Sequence, residues 1–96
     1  MFARTSTWAG SAEALERWAE HVRHGVRPFV EGLPENAGAV FLVDRQGGRA
    51  LTVTLWESQA AAEASDEAAD QSRARTIAAT GVELLERGRY EVAARI

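Results

Sequence analysis

Three short stretches of this 96-residue sequence hold side chains able to do chemistry. The first, FARTSTW (2–8), offers a guanidinium at Arg4, a hydroxyl at Ser6 and an indole at Trp8. In the second, LTVTLW (51–56), Thr52, Thr54 and Trp56 recur at every second residue. The third is the H-x-x-H pair His21 and His24, and Tyr90 adds one phenol near the far end. An arginine can hold an oxyanion, hydroxyls can hydrogen-bond a substrate, and indoles give a pocket apolar walls with few polar handles. Arg4 and Tyr90 are thus candidates to hold an anion. Ser6, Trp8, Thr52 and Thr54 are candidates to bind a substrate, and Trp56 to shape the pocket. Histidines at the H-x-x-H spacing can share a metal. Here Arg17, Arg23 and Arg27 crowd them with positive charge and only Glu20 stands near, so the pair reads as solvated helix surface and no metal site is expected.

Composition removes several function classes. The formal net charge is -3 and the basic residues are scattered, whereas a phosphate backbone needs a basic patch. No nucleic-acid partner is expected. There is no cysteine, which excludes disulfides, thiolate metal sites and thiol nucleophiles. All eleven basic residues are arginine, which excludes a lysine Schiff base. No apolar run reaches ~18 residues and the N-terminus lacks the apolar stretch of a signal peptide, so the expectation is a cytoplasmic protein with no membrane partner.

The elements that must position these residues follow from periodicity, and 1–96 reads as a single domain. Residues 2–8 alternate as a strand, Gly10 breaks it, and Ser11 is placed to cap a helix. Leu15, Trp18, Ala19, Val22 and Val26 form the apolar stripe of that helix, which should end near Arg27 because of Gly25 and Pro28. Residues 29–38 read as a loop. Residues 39–44 read as a strand covered on both faces, 45–48 as a hairpin turn, and 49–57 as the returning strand. Ser58 then caps an alanine-rich second helix closed by Gly81. Its acids Glu63, Asp66, Glu67 and Asp70 read as a solvated face. Residues 82–96 form a last strand, kinked or bulged at Gly88. The order β-α-β-β-α-β predicts an α+β ferredoxin-like domain, a four-stranded antiparallel sheet with both helices on one face. The alternation predicts that Leu51, Val53 and Leu55 meet the helices. Arg4, Ser6, Trp8, Thr52, Thr54 and Trp56 would then occupy the open face, to be covered by a second copy in a homodimer.

The run RPFVEGLPENAGAVFLVDRQGGRALTVTLWES, the alanine-rich helix and the RYEV strand resemble the dimeric α/β-barrel superfamily. Within it the chain looks most like the antibiotic-biosynthesis-monooxygenase domains. The resemblance rests on Leu33, Pro34 and Gly38 of the "LP…G" loop, the glycine hairpin, and LWES (55–58), and it covers nearly the whole chain. It implies two sheets paired into a barrel. It also implies a cofactor-independent monooxygenase-like protein acting on a small aromatic polyketide or quinol. Trp56 matches the strand-end tryptophan of relatives with an active site; with Arg4 and Tyr90, singled out by their chemistry, it makes up the expected catalytic set, with no cofactor. Two alternatives stand beside it: a non-catalytic ligand-binding or stress-related dimer, and an aromatic polyketide cyclase or isomerase. Haem-degrading relatives use an asparagine on the first strand, the strand-end tryptophan and a histidine on the second helix. Only Trp56 survives here, which speaks against haem chemistry.

Overall fold

A computed structural model describes all 96 residues. It has four strands, β1 (Phe2–Ala9), β2 (Asn36–Asp44), β3 (Arg49–Trp56) and β4 (Glu83–Glu91). They form one antiparallel sheet in the order β2-β3-β1-β4. The helices are α1 (Ala12–His21), α2 (Arg27–Glu31), α3 (Gln59–Ala64) and α4 (Asp66–Thr80). This is the ferredoxin-like arrangement expected from the order of elements.

The assignment of the two sheet faces is reversed from the expectation. Arg4 stands opposite Thr54 and Arg89, Ser6 opposite Thr52 and Arg87, and Trp8 opposite Ala50 and Leu84. These residues lie under the helices, with Arg4 bonded to Ser65 and Trp56 packed on Ala61 and Ala62. Trp56, only 1% exposed, is therefore covered by its own chain. The physical reason lies in the two threonines. Thr52 Oγ1 accepts from Trp8 Nε1 at 3.2 Å, and Thr54 Oγ1 accepts from Trp56 Nε1 at 3.0 Å. Each hydroxyl supplies the acceptor that a buried indole needs, so a polar residue type belongs on the covered side.

The other face is apolar and bare within one chain. Leu51, Val53 and Leu55 are half-buried there, beside Val40 (47% exposed) and Leu42 (48% exposed) on the edge strand β2. β2 is thus not covered on both sides; only Phe41 of its apolar residues packs on the core beneath the helices. Tyr90 also stands on this bare side, its ring lying over Gly88. A Cβ at Gly88 would sit 2.5 Å from that ring and 2.7 Å from Thr5 Oγ1.

The first helical segment runs past its expected end. After α1, capped by the Ser11 hydroxyl at 3.1 Å, residues Val22–Val26 widen into a π-helical turn. The chain then re-enters α-helix with Pro28 in the first turn, where a missing N–H costs nothing. Residues 29–31 are therefore helical rather than loop, and β2 begins at Asn36, earlier than expected. Ser58 caps α3 at 3.1 Å as expected. The second helix then breaks at Ser65 before α4, which Gly81 closes at φ 78 with its N–H on Ile77 O. The last strand stops at Glu91. Its bulge falls at Leu85, where pairing passes from Trp8↔Leu84 to Thr7↔Glu86, and Gly88 keeps regular register. No helix is long and apolar enough to cross a membrane.

Two buried clusters result. Trp8, Leu15, Trp18, Val22, Ala50 and Val82 belong to the larger; Trp56, Ala61 and Ala62 form the smaller, with Phe2 and Leu33 against it.

Candidate functional site

Between sheet and helices lies a narrow hollow of about 50 Å³ that opens to solvent. Its floor is the covered sheet face: Arg4, Ser6, Trp8, Thr52 and Thr54. One wall comes from α1, the π-turn and α2 through Trp18, Val22, Val26, Phe29 and Val30. The other comes from α4 through Ala69, Ser72, Arg73 and Thr76. The π-turn matters here because an extra residue per turn rotates Val26 and Phe29 relative to an unbroken α-helix. Arg75 of α4 holds that wall, its guanidinium carbon 5.7 Å from the centre of the Phe29 ring.

Arg4, Ser6, Trp8, Thr52 and Thr54 all line this hollow, so the structure brings together most of the residues singled out from sequence. It does so beneath the helices, not on the open face. Arg4 is 7% exposed and its donors are largely taken: Nη1 donates to Ser65 Oγ at 2.7 Å, and Nη2 to Ala62 O and Asp66. Its guanidinium also stands 5.6 Å from the centre of the Trp56 ring. Arg4 is thereby a strut between β1 and the α3–α4 break. Trp56 does not line the hollow; it supports Arg4 and Thr54 from behind. Tyr90, 56% exposed on the opposite sheet face, is outside it altogether.

The histidines part company. His24 is exposed and bridges to Glu20 at 3.3 Å, on the helix surface. His21 instead turns onto α4, with Nε2 3.1 Å from Thr76 Oγ1, so it is not a solvated partner of His24. Thr76 Oγ1 donates to Ser72 O at 2.9 Å, which leaves the His21 nitrogen as the donor. No group of His, Asp or Glu side chains is placed to hold a metal ion.

Sequence reasoning missed Trp18, Arg73, Ser72 and Thr76. Trp18 reads as one position of a core stripe, yet it lines the hollow and its buried Nε1 has no hydrogen-bond partner. Buried indole N–H groups are normally matched, so this one is an exception within the core. Arg73 sits in a helix whose polar residues read as wet surface. In the fold, Arg73 and Arg87 both bond Asp70, while Arg4 and Arg89 both bond Asp66. Asp66 and Asp70 are therefore ion-pair partners rather than a free acidic face. Burial pushes the Arg4 pKa down, the Asp66 hydrogen bond and charge oppose that, and Arg89 and Arg73 add repulsion. Desolvation acts to raise the Asp66 pKa, but hydrogen bonds from Arg89 and Arg4, with their charges, hold it below its usual range.

No protein-family model matches the chain. An uncharacterized protein of Mycobacterium tuberculosis is 36% identical over 67 residues, covering 70% of this chain and 30% of its own length. The chain thus spans less than a third of that relative. Among solved structures, a Deinococcus radiodurans protein classed with the antibiotic biosynthesis monooxygenases superposes with a TM-score of 0.77. It is 17% identical, with 100% of this chain and 96% of that one covered. The ActVA-Orf6 monooxygenase of Streptomyces coelicolor, in complex with nanaomycin D, gives 0.74 at 16% identity, covering 99% and 89%. A mutant of SnoaB, a cofactor-independent oxygenase from Streptomyces nogalater, gives 0.65 at 12% identity, covering 99% and 95%. The chain has the ferredoxin-like fold of the antibiotic biosynthesis monooxygenase domain proteins.

Proposed function

We propose that the protein is a homodimeric, cofactor-independent monooxygenase-like protein that takes a small aromatic polyketide or quinol into the hollow between its sheet and helices. The observation that carries this reading is the lining itself. Trp8, Trp18 and Phe29 offer aromatic walls, Ser6, Thr52, Thr54, Ser72 and Thr76 offer hydroxyls, and Arg73 offers a cation. That mixture suits a flat, oxygen-bearing ring system.

The lining holds no carboxylate and no imidazole. The chemistry it supports is therefore stabilisation of an anion rather than abstraction of a proton by a side chain. A phenol or anthrone beside Arg73 ionises more readily, because a fixed cation favours its charged form. The ionised ring is itself the reductant for dioxygen. Anthrone plus one O₂ gives anthraquinone plus one water, so the atoms balance without any further cofactor. The proton goes to solvent, and the apolar walls keep bulk water from the reduced oxygen intermediate.

The bare apolar face supports the dimer. Val40, Leu42, Leu51, Val53 and Leu55 form a contiguous patch of the kind that monomers rarely leave wet. A twin sheet laid on it closes a barrel. The hollow itself is built within one chain, so the dimer supports the site from beneath.

The same absence of a side chain able to take up a proton favours a second reading, a non-catalytic binder of aromatic ligands. Oxygen-electrode traces with anthrone separate the two. The proposal expects uptake of one O₂ per anthrone, faster than in buffer and slowed by Arg73→Ala. Uptake no faster than the spontaneous rate, with anthraquinone still bound, would leave only the binder.

A further inference from the structure

A second hollow adjoins the first. It lies between α4 and β4, has a volume of about 390 Å³ open to solvent, and no hydrophobic residue lines it. Its walls are Arg4, Arg73, Arg87 and Arg89, with Asp66, Asp70 and the Gly88 backbone. Arg4 and Arg73 line both hollows, so the two meet across those side chains.

Four guanidinium groups here face two carboxylates, which leaves two positive charges unmatched in a chain whose net charge is -3. Each aspartate is already shared: Asp66 between Arg4 and Arg89, Asp70 between Arg73 and Arg87. A guanidinium carries five N–H donors, so most of those in the basin have no anion to meet. Arg73 is largely buried, its side chain 13% exposed, while holding only half of a carboxylate. Arg87 is the loosest member, 3.5 Å from Asp70 and 63% exposed. A positive basin in a partly enclosed, otherwise acidic molecule focuses the field on small anions. Planar guanidinium forks bind carboxylates and phosphates bidentately, and of the two the carboxylate is the group that a flat aromatic ring commonly carries.

We propose that this basin binds the carboxylate of an aromatic acid whose ring system occupies the neighbouring hollow, with Arg87 and Arg73 as its partners. The proposal rests on the reading of the first hollow as an aromatic site and adds the charge of its ligand. The ring lies against Trp18 and Phe29, and the acid group projects past Arg73 into the basin. A ligand with one apolar end and one anionic end thereby has a single orientation.

Calorimetric titration of the full chain tests this with three pairs of probes: benzoate, 2-naphthoate and anthraquinone-2-carboxylate, each against its methyl ester. The proposal expects at least one acid to bind ten times more tightly than its ester at 50 mM NaCl. That advantage shrinks at 500 mM, where exposed charge is screened. Arg87→Gln, at an exposed position, is expected to cut the advantage at least threefold while moving ester affinity less than twofold. Esters that bind as tightly as the acids would overturn the anionic subsite and leave the aromatic hollow standing. An acid preference undiminished in Arg87→Gln would overturn the assignment to this basin. Failure of every probe would remove the aromatic hollow, and this proposal with it.

Discussion

Trp56 gives its indole N–H to Thr54 and its ring face to Arg4, so one side chain holds two members of the hollow's floor from behind. Trp56→Ala is expected to cost about 3–5 kcal/mol, the range for emptying a buried aromatic site. Denaturant unfolding measures it, and a loss below 1 kcal/mol would show that the smaller cluster carries little. Asp66 is expected to govern acid stability. Its pKa is depressed in the fold by the hydrogen bonds of Arg89 and Arg4, which outweigh desolvation. Its contribution is therefore present above the unfolded value near about 3.9 and is lost as pH falls from there through the folded pKa. Unfolding free energies measured across that window should fall less steeply in Asp66→Asn than in the natural chain. An unchanged slope would place the acid sensitivity elsewhere. At this scale the candidate site was partly legible: types and spacing pointed to Arg4, Ser6, Trp8, Thr52 and Thr54. Trp18 and Arg73 escaped because a stripe position and a helix charge look the same whether or not a hollow opens beside them.

The helices set the walls, and their ends are where sequence speaks most directly. Ser58 is read as a cap from its type and position, and its hydroxyl accepts from Ala61 N. Ser58→Ala is expected to cost about 1 kcal/mol, or about 4–8 °C in Tm for a domain this small. Differential scanning calorimetry checks it, and no change in Tm would mean the α3 end is satisfied by other means. Elements defined by caps, glycines and alternation came through: β1, α1, the hairpin after Asp44, and the Gly81 stop. The π-turn at Val22–Val26 did not, because Gly25 and Pro28 signal an ending in sequence. The fold absorbs them by widening one turn and restarting at α2. The sheet faces were inverted for a similar reason. Alternation separates two sides but does not say which is covered, and the Thr–Trp hydrogen bonds that settle it run between side chains on one strand and across two.

For the whole molecule, only 19 of 96 residues are buried in one chain, a small core that gains from a partner. In the proposed dimer, a second copy on the Val40–Leu42–Val53 face supplies one. Sedimentation at micromolar concentration is expected to show twice the 10.4 kDa chain mass, and Val53→Glu to shift it to the single chain. A natural chain that sediments alone would remove the dimer while leaving the hollow intact. The hollow is the central claim, and the indole signals in a two-dimensional ¹H–¹⁵N spectrum test it most directly, because Trp8, Trp18 and Trp56 occupy three different places relative to it. On titration with 2-naphthol, a neutral phenol, the account predicts large shifts at Trp18 and Trp8 and a smaller one at Trp56, which lies behind the floor. Shifts confined to Leu42, Val53 and Tyr90 on the bare sheet face, with the indoles unmoved, would contradict it.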